Sequence, residues 1–143
     1  MKLVITGASG YIGAVLMARA QQAGFKVVAA TRNRPTAAHD AWLLYDLAAQ
    51  VPIALPADTD AVIHLAADTQ SALQGEAEIE QRAAQRLLAA AGEVSARFLF
   101  VSSQAARRDA PTHYGRVKWR IEELVLAVGG CVLRPGQVYG GPA

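Results

Sequence analysis

The amino-acid sequence predicts an α/β fold: a doubly wound parallel sheet of strand order 3-2-1-4-5-6, in three layers with helices on both faces. Three observations carry that prediction. Short β-branched runs alternate with helical stretches, the connections between them are short, and a glycine-rich turn joins the first strand to the first helix.

Lys2–Thr6 is a β-branched and leucine run ending at Gly7, and Tyr11–Gln22 follows with Ile12, Val15, Leu16 and Ala20 at helical spacing. Gly24 suits the left-handed position that ends a helix, so Lys26–Thr31 reads as the second strand and closes a βαβ unit. Residues 42–46 read as the third strand. Residues 48–60 carry Pro52 and Pro56, which predict a loop with at most one helical turn. Residues 61–66 are the fourth strand, and residues 76–91, rich in Ala, Glu, Gln, Arg and Leu, form the next helix. Within Arg97–Val101, the fifth strand, the apolar residues are continuous from Phe98, the pattern of a strand buried on both faces. Residues 113–128 place Val117, Ile121, Leu124 and Val125 on one side of a helix that stops at Gly129-Gly130, and residues 131–134 supply the sixth strand.

The charge balance narrows the class of partner. Fourteen Lys and Arg against twelve Asp and Glu leave a formal charge of +2, and the basic residues are scattered, so the face that drives nucleic-acid binding is missing. A small-molecule partner is expected. One cysteine, Cys131, cannot form an internal disulfide, and His39, His64 and His113 show no metal-ligand spacing, so no metal site is expected. The apolar run after Lys2 stops at Thr6, too short for a signal-peptide core, and no stretch of about 18 apolar residues follows. A cytoplasmic protein that does not engage a membrane is the expectation.

The sharpest motif is Thr6-Gly7-Ala8-Ser9-Gly10-Tyr11-Ile12-Gly13, between the first strand and the first helix. Gly7 can take the dihedrals of the tight turn, Gly10 lets backbone N–H groups approach a pyrophosphate, and Gly13 permits close helix–sheet packing. The start of the helix adds partial positive charge for phosphates. At the end of the second strand, where an NAD site usually places an acid for the ribose hydroxyls, the chain has Thr31-Arg32-Asn33-Arg34. Arg32 or Arg34 can grip a 2′-phosphate with a planar fork of donors, which favours NADP over NAD.

Tyr114 and Lys118 stand four apart, so phenol and ammonium share one helix face. A fixed ammonium beside a phenol favours the phenolate, as an acid/base partner to hydride transfer requires. Ser103, at the carboxyl end of the fifth strand, lies where open α/β sheets bind ligands and can orient a substrate oxygen. Ser103, Tyr114 and Lys118 form a candidate catalytic set.

These segments together resemble the NAD(P)-dependent epimerase/dehydratase group of extended short-chain dehydrogenases/reductases, which includes nucleotide-sugar epimerases. The matches are the glycine turn, His64-Leu65-Ala66-Ala67, Val101-Ser102-Ser103, the Tyr114/Lys118 pair and the run from Arg134 to Pro142, in the family's order along the whole chain. The resemblance implies a Rossmann-type domain over residues 1–143, NADP or NAD as cofactor, and hydride transfer between nicotinamide and a carbinol or carbonyl carbon of a nucleotide-sugar-like substrate. It implies Tyr114 as acid/base, Lys118 on the nicotinamide ribose and Ser103 on the reacting oxygen. Cofactor contacts are implied for Gly7, Ser9, Gly10, Tyr11, Ile12, Gly13, Arg32, Asp46, Leu47, Leu65, Ala66, Ala67, Tyr114 and Lys118.

Two stretches depart from the family. Glu80-Gln81-Arg82-Ala83-Ala84 stands where many members carry Asn followed by Val, Gly and Thr, and the proline-containing 48–60 link replaces a more helical one. The carboxyl-terminal lobe that in the family supplies most substrate contacts is expected to be absent. An NADP(H)-binding sensor without turnover and an NADPH-dependent carbonyl reductase are the alternatives, and helices 76–91 and 113–128 match those that make a homodimer bundle in the resembled family.

Overall fold

Six strands hydrogen-bond into a single parallel sheet in the computed structural model, which describes residues 1–36, 41–49, 51–68 and 77–140. In chain order the elements are β1 (Lys2–Thr6), α1 (Tyr11–Gln22), β2 (Lys26–Thr31), β3 (Ala41–Leu44), β4 (Ala61–His64), α2 (Ala77–Glu93), β5 (Arg97–Val101), α3 (His113–Ala127) and β6 (Cys131–Leu133). The strand order is β3-β2-β1-β4-β5-β6, as the sequence predicts. The order reverses between β1 and β4, whose carboxyl ends meet in register at Thr6 and His64. Open α/β sheets bind ligands at that switch point.

Alternation along the strands divides the core between the two faces. Val4, Val28, Val62, Phe98 and Phe100 pack against Leu87 of α2 and Ile121 and Val125 of α3. On the other face Leu3, Ile5, Val27 and Ala29 pack against Met17 and Ala20 of α1. Burying each large aliphatic side chain contributes roughly 1.5–3 kcal/mol, so the α2/α3 face holds most of the stabilisation.

The expectation that the fifth strand is buried on both faces needs correcting. Phe98 and Phe100 are buried, but Leu99 and Val101 are only half-buried, and Cys131 and Leu133 on β6 are exposed. The helices that flank β5 in sequence, α2 and α3, both pack on the same side of the sheet, and the only described helix on the opposite side, α1, contacts β1 and β2.

Several boundaries shift for identifiable reasons. The fourth strand stops at His64, not at residue 66, because the N–H groups of Leu65 and Ala66 both turn to Thr6 Oγ1, at 3.1 and 3.2 Å, and leave the ladder. The helix expected from residue 76 begins within the described residues at Ala77, passes Gly92 and ends at Glu93, and Ser95, with φ +57°, takes the left-handed turn that follows it. Residue 76 itself lies outside the described residues. The third strand is the shorter Ala41–Leu44, although Tyr45 N–H still reaches Thr31 O at 3.1 Å. The sixth strand ends at Leu133, two residues before Pro135, which has no N–H to offer.

An ion pair ties the end of β6 to α3. Arg134 Nε donates to Glu122 Oε1 at 2.7 Å while its Nη2 donates to Oε2, and the Glu122 side chain is 5% exposed. Burial alone raises the Glu122 carboxyl, but the Arg134 guanidinium and the Ser102 hydroxyl outweigh it and hold the group below the usual carboxylate range. The stabilisation is therefore present above about pH 4.3 and lost as the pH falls through the lower folded value. In Arg134→Ala only burial and Ser102 remain, and the buried carboxylate opposes folding at neutral pH. Thermal melts from pH 7 to pH 3 should show the variant's deficit largest at neutral pH and shrinking on acidification; a deficit independent of pH would refute this role.

Candidate active site

The glycine turn is a cradle that side chains would fill. Gly7 has φ +67°, a conformation glycine adopts without strain, and a Cβ there would sit 2.8 Å from Ala66 N. A Cβ on Gly13 would lie 2.1 Å from Gly7 O and 2.7 Å from Ala8 Cα. Helix α1 therefore starts directly against the turn. No side chain caps its N-terminus at Gly10, so the first-turn N–H groups of Tyr11, Ile12 and Gly13 are open to an anion.

Thr6 fastens this turn to the end of β4. Its hydroxyl oxygen accepts the N–H groups of Leu65 and Ala66, so its one proton goes to His64 Nδ1, 2.7 Å away. Nδ1 is then the acceptor, and His64 is neutral with its proton on Nε2. Burial, with a smaller contribution from the Lys118 charge, lowers the His64 pKa to about 3, which keeps it in that form. The ring stacks on Phe100 with centroids 5.6 Å apart. His64 thus serves as a hydrogen-bonded core group, in keeping with its place in an apolar strand.

A cleft of about 640 Å³ opens above the switch point, within the range of small-molecule sites. It brings together nine of the expected cofactor residues: Gly7, Ser9, Gly10, Arg32, Asp46, Leu47, Leu65, Ala66 and Ala67. Tyr11 and Ile12 are exposed at the start of α1, outside the cleft wall, and Gly13 is buried beneath it. A second hollow, of about 330 Å³, adjoins at Arg32 and is lined by Ser9, Asn33 and Arg34. Thr31 Oγ1 donates to Asn33 O at 2.6 Å and accepts the Trp42 indole N–H at 3.0 Å, which holds the Arg32 turn at this edge. Asp46 Oδ1, just beyond the neighbouring strand β3, accepts Ala48 N–H at 3.0 Å.

The candidate catalytic set sits at the carboxyl end of β5 and the start of α3. Thr112 caps the helix, its Oγ1 accepting Gly115 N–H at 3.1 Å. Gly115 lets the helix abut the turn after Ser103, since a Cβ there would meet Ala105 O at 2.4 Å. Ser103 Oγ accepts Ala105 N–H at 3.1 Å. Lys118 is 2% exposed, with its ammonium 4.9 Å from the Phe100 ring centre and 5.5 Å from that of Tyr114. Ser103, Tyr114 and Lys118 do not line the 640 Å³ cleft.

Two cleft residues escaped the sequence reading. Tyr45 is 4% exposed, its hydroxyl has no hydrogen-bond partner among the described residues, and burial pushes its phenol well above the usual range. Glu80 of α2 is 8% exposed, and its Oε1 accepts Asp68 N–H at 2.5 Å. Burial raises its carboxyl, opposed by that N–H and by the Lys118 charge. The one available signal for Glu80 was its place at a position where the resembled family carries Asn.

The glycine turn and the cleft thus meet at the switch point of an α/β sheet, and the family follows from the match. Residues 3–142 match the model of the NAD dependent epimerase/dehydratase family, and the chain belongs to that family. It is 30% identical to a ceramide reductase of Caulobacter vibrioides, over 96% of this chain and 46% of that protein. Its fold is similar to that of a UDP-N-acetylglucosamine 4-epimerase from Bacillus cereus, with TM-score 0.78, 23% identity, and coverage of 100% of this chain and 58% of the other. It is also similar to a short-chain dehydrogenase/reductase superfamily protein from Agrobacterium tumefaciens with bound NAD, with TM-score 0.71, 23% identity, and coverage of 94% and 48%. The chain spans about half the length of these relatives. Among the described residues no helix is long and apolar enough to cross a membrane, and no group of three or more His, Cys, Asp or Glu is placed to hold a metal ion.

Proposed function

We propose that the chain binds NADP(H) in the 640 Å³ cleft and is the cofactor-binding part of an epimerase/dehydratase-type oxidoreductase acting on a nucleotide-sugar-like substrate. The observation that carries this is the cradle: Gly7 and Gly13 leave no room for a Cβ, and the uncapped start of α1 follows directly on Ser9 and Gly10, which line the cleft. Backbone N–H groups there fit a pyrophosphate. The Tyr45 hydroxyl in the cleft wall, without a hydrogen-bond partner among the described residues, fits a polar ligand. Arg32, shared by the cleft and the smaller hollow, would hold a 2′-phosphate, which makes NADP the preferred cofactor over NAD.

When bound, the nicotinamide supplies or accepts hydride. Tyr114 exchanges the proton of the substrate hydroxyl, Lys118 holds the nicotinamide ribose and stabilises the phenolate, and the Ser103 hydroxyl donates to the reacting oxygen. The Bacillus cereus epimerase favours a nucleotide sugar as substrate class, and the name of the Caulobacter relative favours a second reading, an NADPH-dependent carbonyl reductase. A cytoplasmic location and a homodimer through α2 and α3 complete the proposal. Trp119 and Leu124, half-buried on α3, and Leu126, 58% exposed, favour the dimer.

Transfer of deuteride from C4-deuterated NADPH to a panel of UDP-keto-sugars and simple ketones, followed by mass spectrometry, tests the chemistry. Tyr114→Phe should lower transfer by on the order of a hundredfold with cofactor binding intact. Binding without transfer by the wild-type chain would turn the reading to an NADP(H) sensor.

A further inference from the structure

Ser103 follows β5 and Tyr114 stands in the first turn of α3, so the two groups proposed to meet one substrate oxygen sit on different elements. Among the described residues no hydrogen bond joins them, and Ser103 Oγ accepts Ala105 N–H in its own loop. Their separation is set indirectly. On the β5 side, Ser102 N–H donates to Leu133 O and Gln104 Nε2 donates to Arg134 O, each at 2.8 Å, which ties both neighbours of Ser103 to the end of β6. On the α3 side, the Arg134 side chain reaches back: Nε donates to Glu122 Oε1 at 2.7 Å and Nη2 donates to Oε2. Glu122 is 4% exposed and stands four residues beyond Lys118 and eight beyond Tyr114, on one stripe of the helix. Arg134 therefore touches both halves of the candidate set, with its carbonyl on the Ser103 segment and its guanidinium on the Tyr114 stripe. Pro135 disfavours helical backbone at Arg134, and the fork onto a buried carboxylate restricts the side chain, so the two attachments hold a fixed relation.

We propose that Arg134 is a positioning residue that holds Ser103 in register with Tyr114, gripping Glu122 of α3 with its guanidinium and receiving Gln104 on its carbonyl. The inference rests on the preceding reading, in which Ser103 and Tyr114 act on the same oxygen. Such a pair tolerates little error, since a misplacement of about 1 Å can cost on the order of a hundredfold in rate. A second brace limits the effect here. Gly115 lets α3 abut the turn after Ser103, where a Cβ would meet Ala105 O at 2.4 Å, so loss of the clamp loosens the pair without separating it. The two links of the clamp act in series: breaking either one uncouples Ser103 from the helix, and breaking both adds little.

The measurement is steady-state deuteride transfer from C4-deuterated NADPH to the ketone of the panel that the wild-type chain reduces fastest, with kcat and KM read separately. Gln104 is exposed and outside the ion pair, so Gln104→Ala severs the Ser103 side alone and should leave the melting temperature close to wild type. It should lower kcat about tenfold, with KM and the NADPH dissociation constant within about twofold of wild type. Arg134→Ala should lower kcat by a similar factor, and Arg134→Lys, which keeps the charge but not the fork, should recover about a third of the wild-type rate. The double variant Gln104→Ala/Arg134→Ala should be no slower than the slower single variant. If Arg134→Ala does not fold, Gln104→Ala and Arg134→Lys carry the test. A wild-type kcat in Gln104→Ala, or losses that multiply to about a hundredfold in the double variant, would overturn the proposal and leave Arg134 as a stabilising partner of Glu122. A wild-type chain that binds NADPH but transfers no deuteride would instead overturn the catalytic reading, and this inference with it.

Discussion

Gly13→Ala should cost about 3 kcal/mol of folding stability, near the upper end for overpacking, and abolish NADPH binding. The added methyl would lie 2.1 Å from Gly7 O and 2.7 Å from Ala8 Cα, and both are backbone atoms of the turn that α1 packs against. No rotamer relieves that contact, so either α1 retreats from β1 or the turn deforms. Both movements spread the N–H groups at the start of the helix. The melting temperature should fall by about 10 °C, measured by circular dichroism. Gly24→Ala is the comparison: its φ is +85° but nothing lies within 4 Å of a Cβ there, so it should lose about 1 kcal/mol and leave binding intact. Equal losses of stability and binding in the two variants would show that the tight approach of α1 to the turn has no special role.

Arg32→Glu should weaken NADPH binding on the order of a hundredfold while changing NADH binding by less than about threefold. Arg32 stands where the large cleft and the smaller hollow meet, with Arg34 lining the same hollow. Charge reversal replaces a forked donor with a carboxylate that repels a 2′-phosphate and can accept from a ribose hydroxyl. Parallel titrations of both cofactors read the effect. A comparable loss for each would mean that Arg32 supports the loop and does not read the phosphate.

The fold was legible where local pattern and tertiary demand agree. The apolar runs of β1, β2 and β5 have the expected bounds, and the glycine turn gives both a strand end and a helix start. Other boundaries escaped because their causes are distant in sequence. The end of β4 depends on Thr6, fifty-eight or more residues away, capturing His64 Nδ1 and the two N–H groups that follow. The left-handed turn after α2 falls on Ser95, which no composition rule would choose over Gly92.

The candidate site divides in the same way. The cradle and Arg32 could be read from residue type and position, since a turn between strand and helix dictates both. The support of the Arg32 turn by the Trp42 indole N–H, donated to Thr31 across eleven residues, is a link no local pattern shows. Tyr45 and Glu80 were illegible because their significance lies in burial: a tyrosine after an edge strand and a glutamate in a polar helix look solvated until α2 and the Asp68 segment close over them.

Fluorescence titration of the full chain with NADPH and, separately, with NADH bears most directly on the dinucleotide reading of the cleft. Saturable binding of both, tighter for NADPH and lost in Gly13→Ala, is the expected result. Unchanged nucleotide emission with either cofactor, in a chain shown by its melt to be folded, would remove that reading and the chemistry proposed for Ser103, Tyr114 and Lys118 with it.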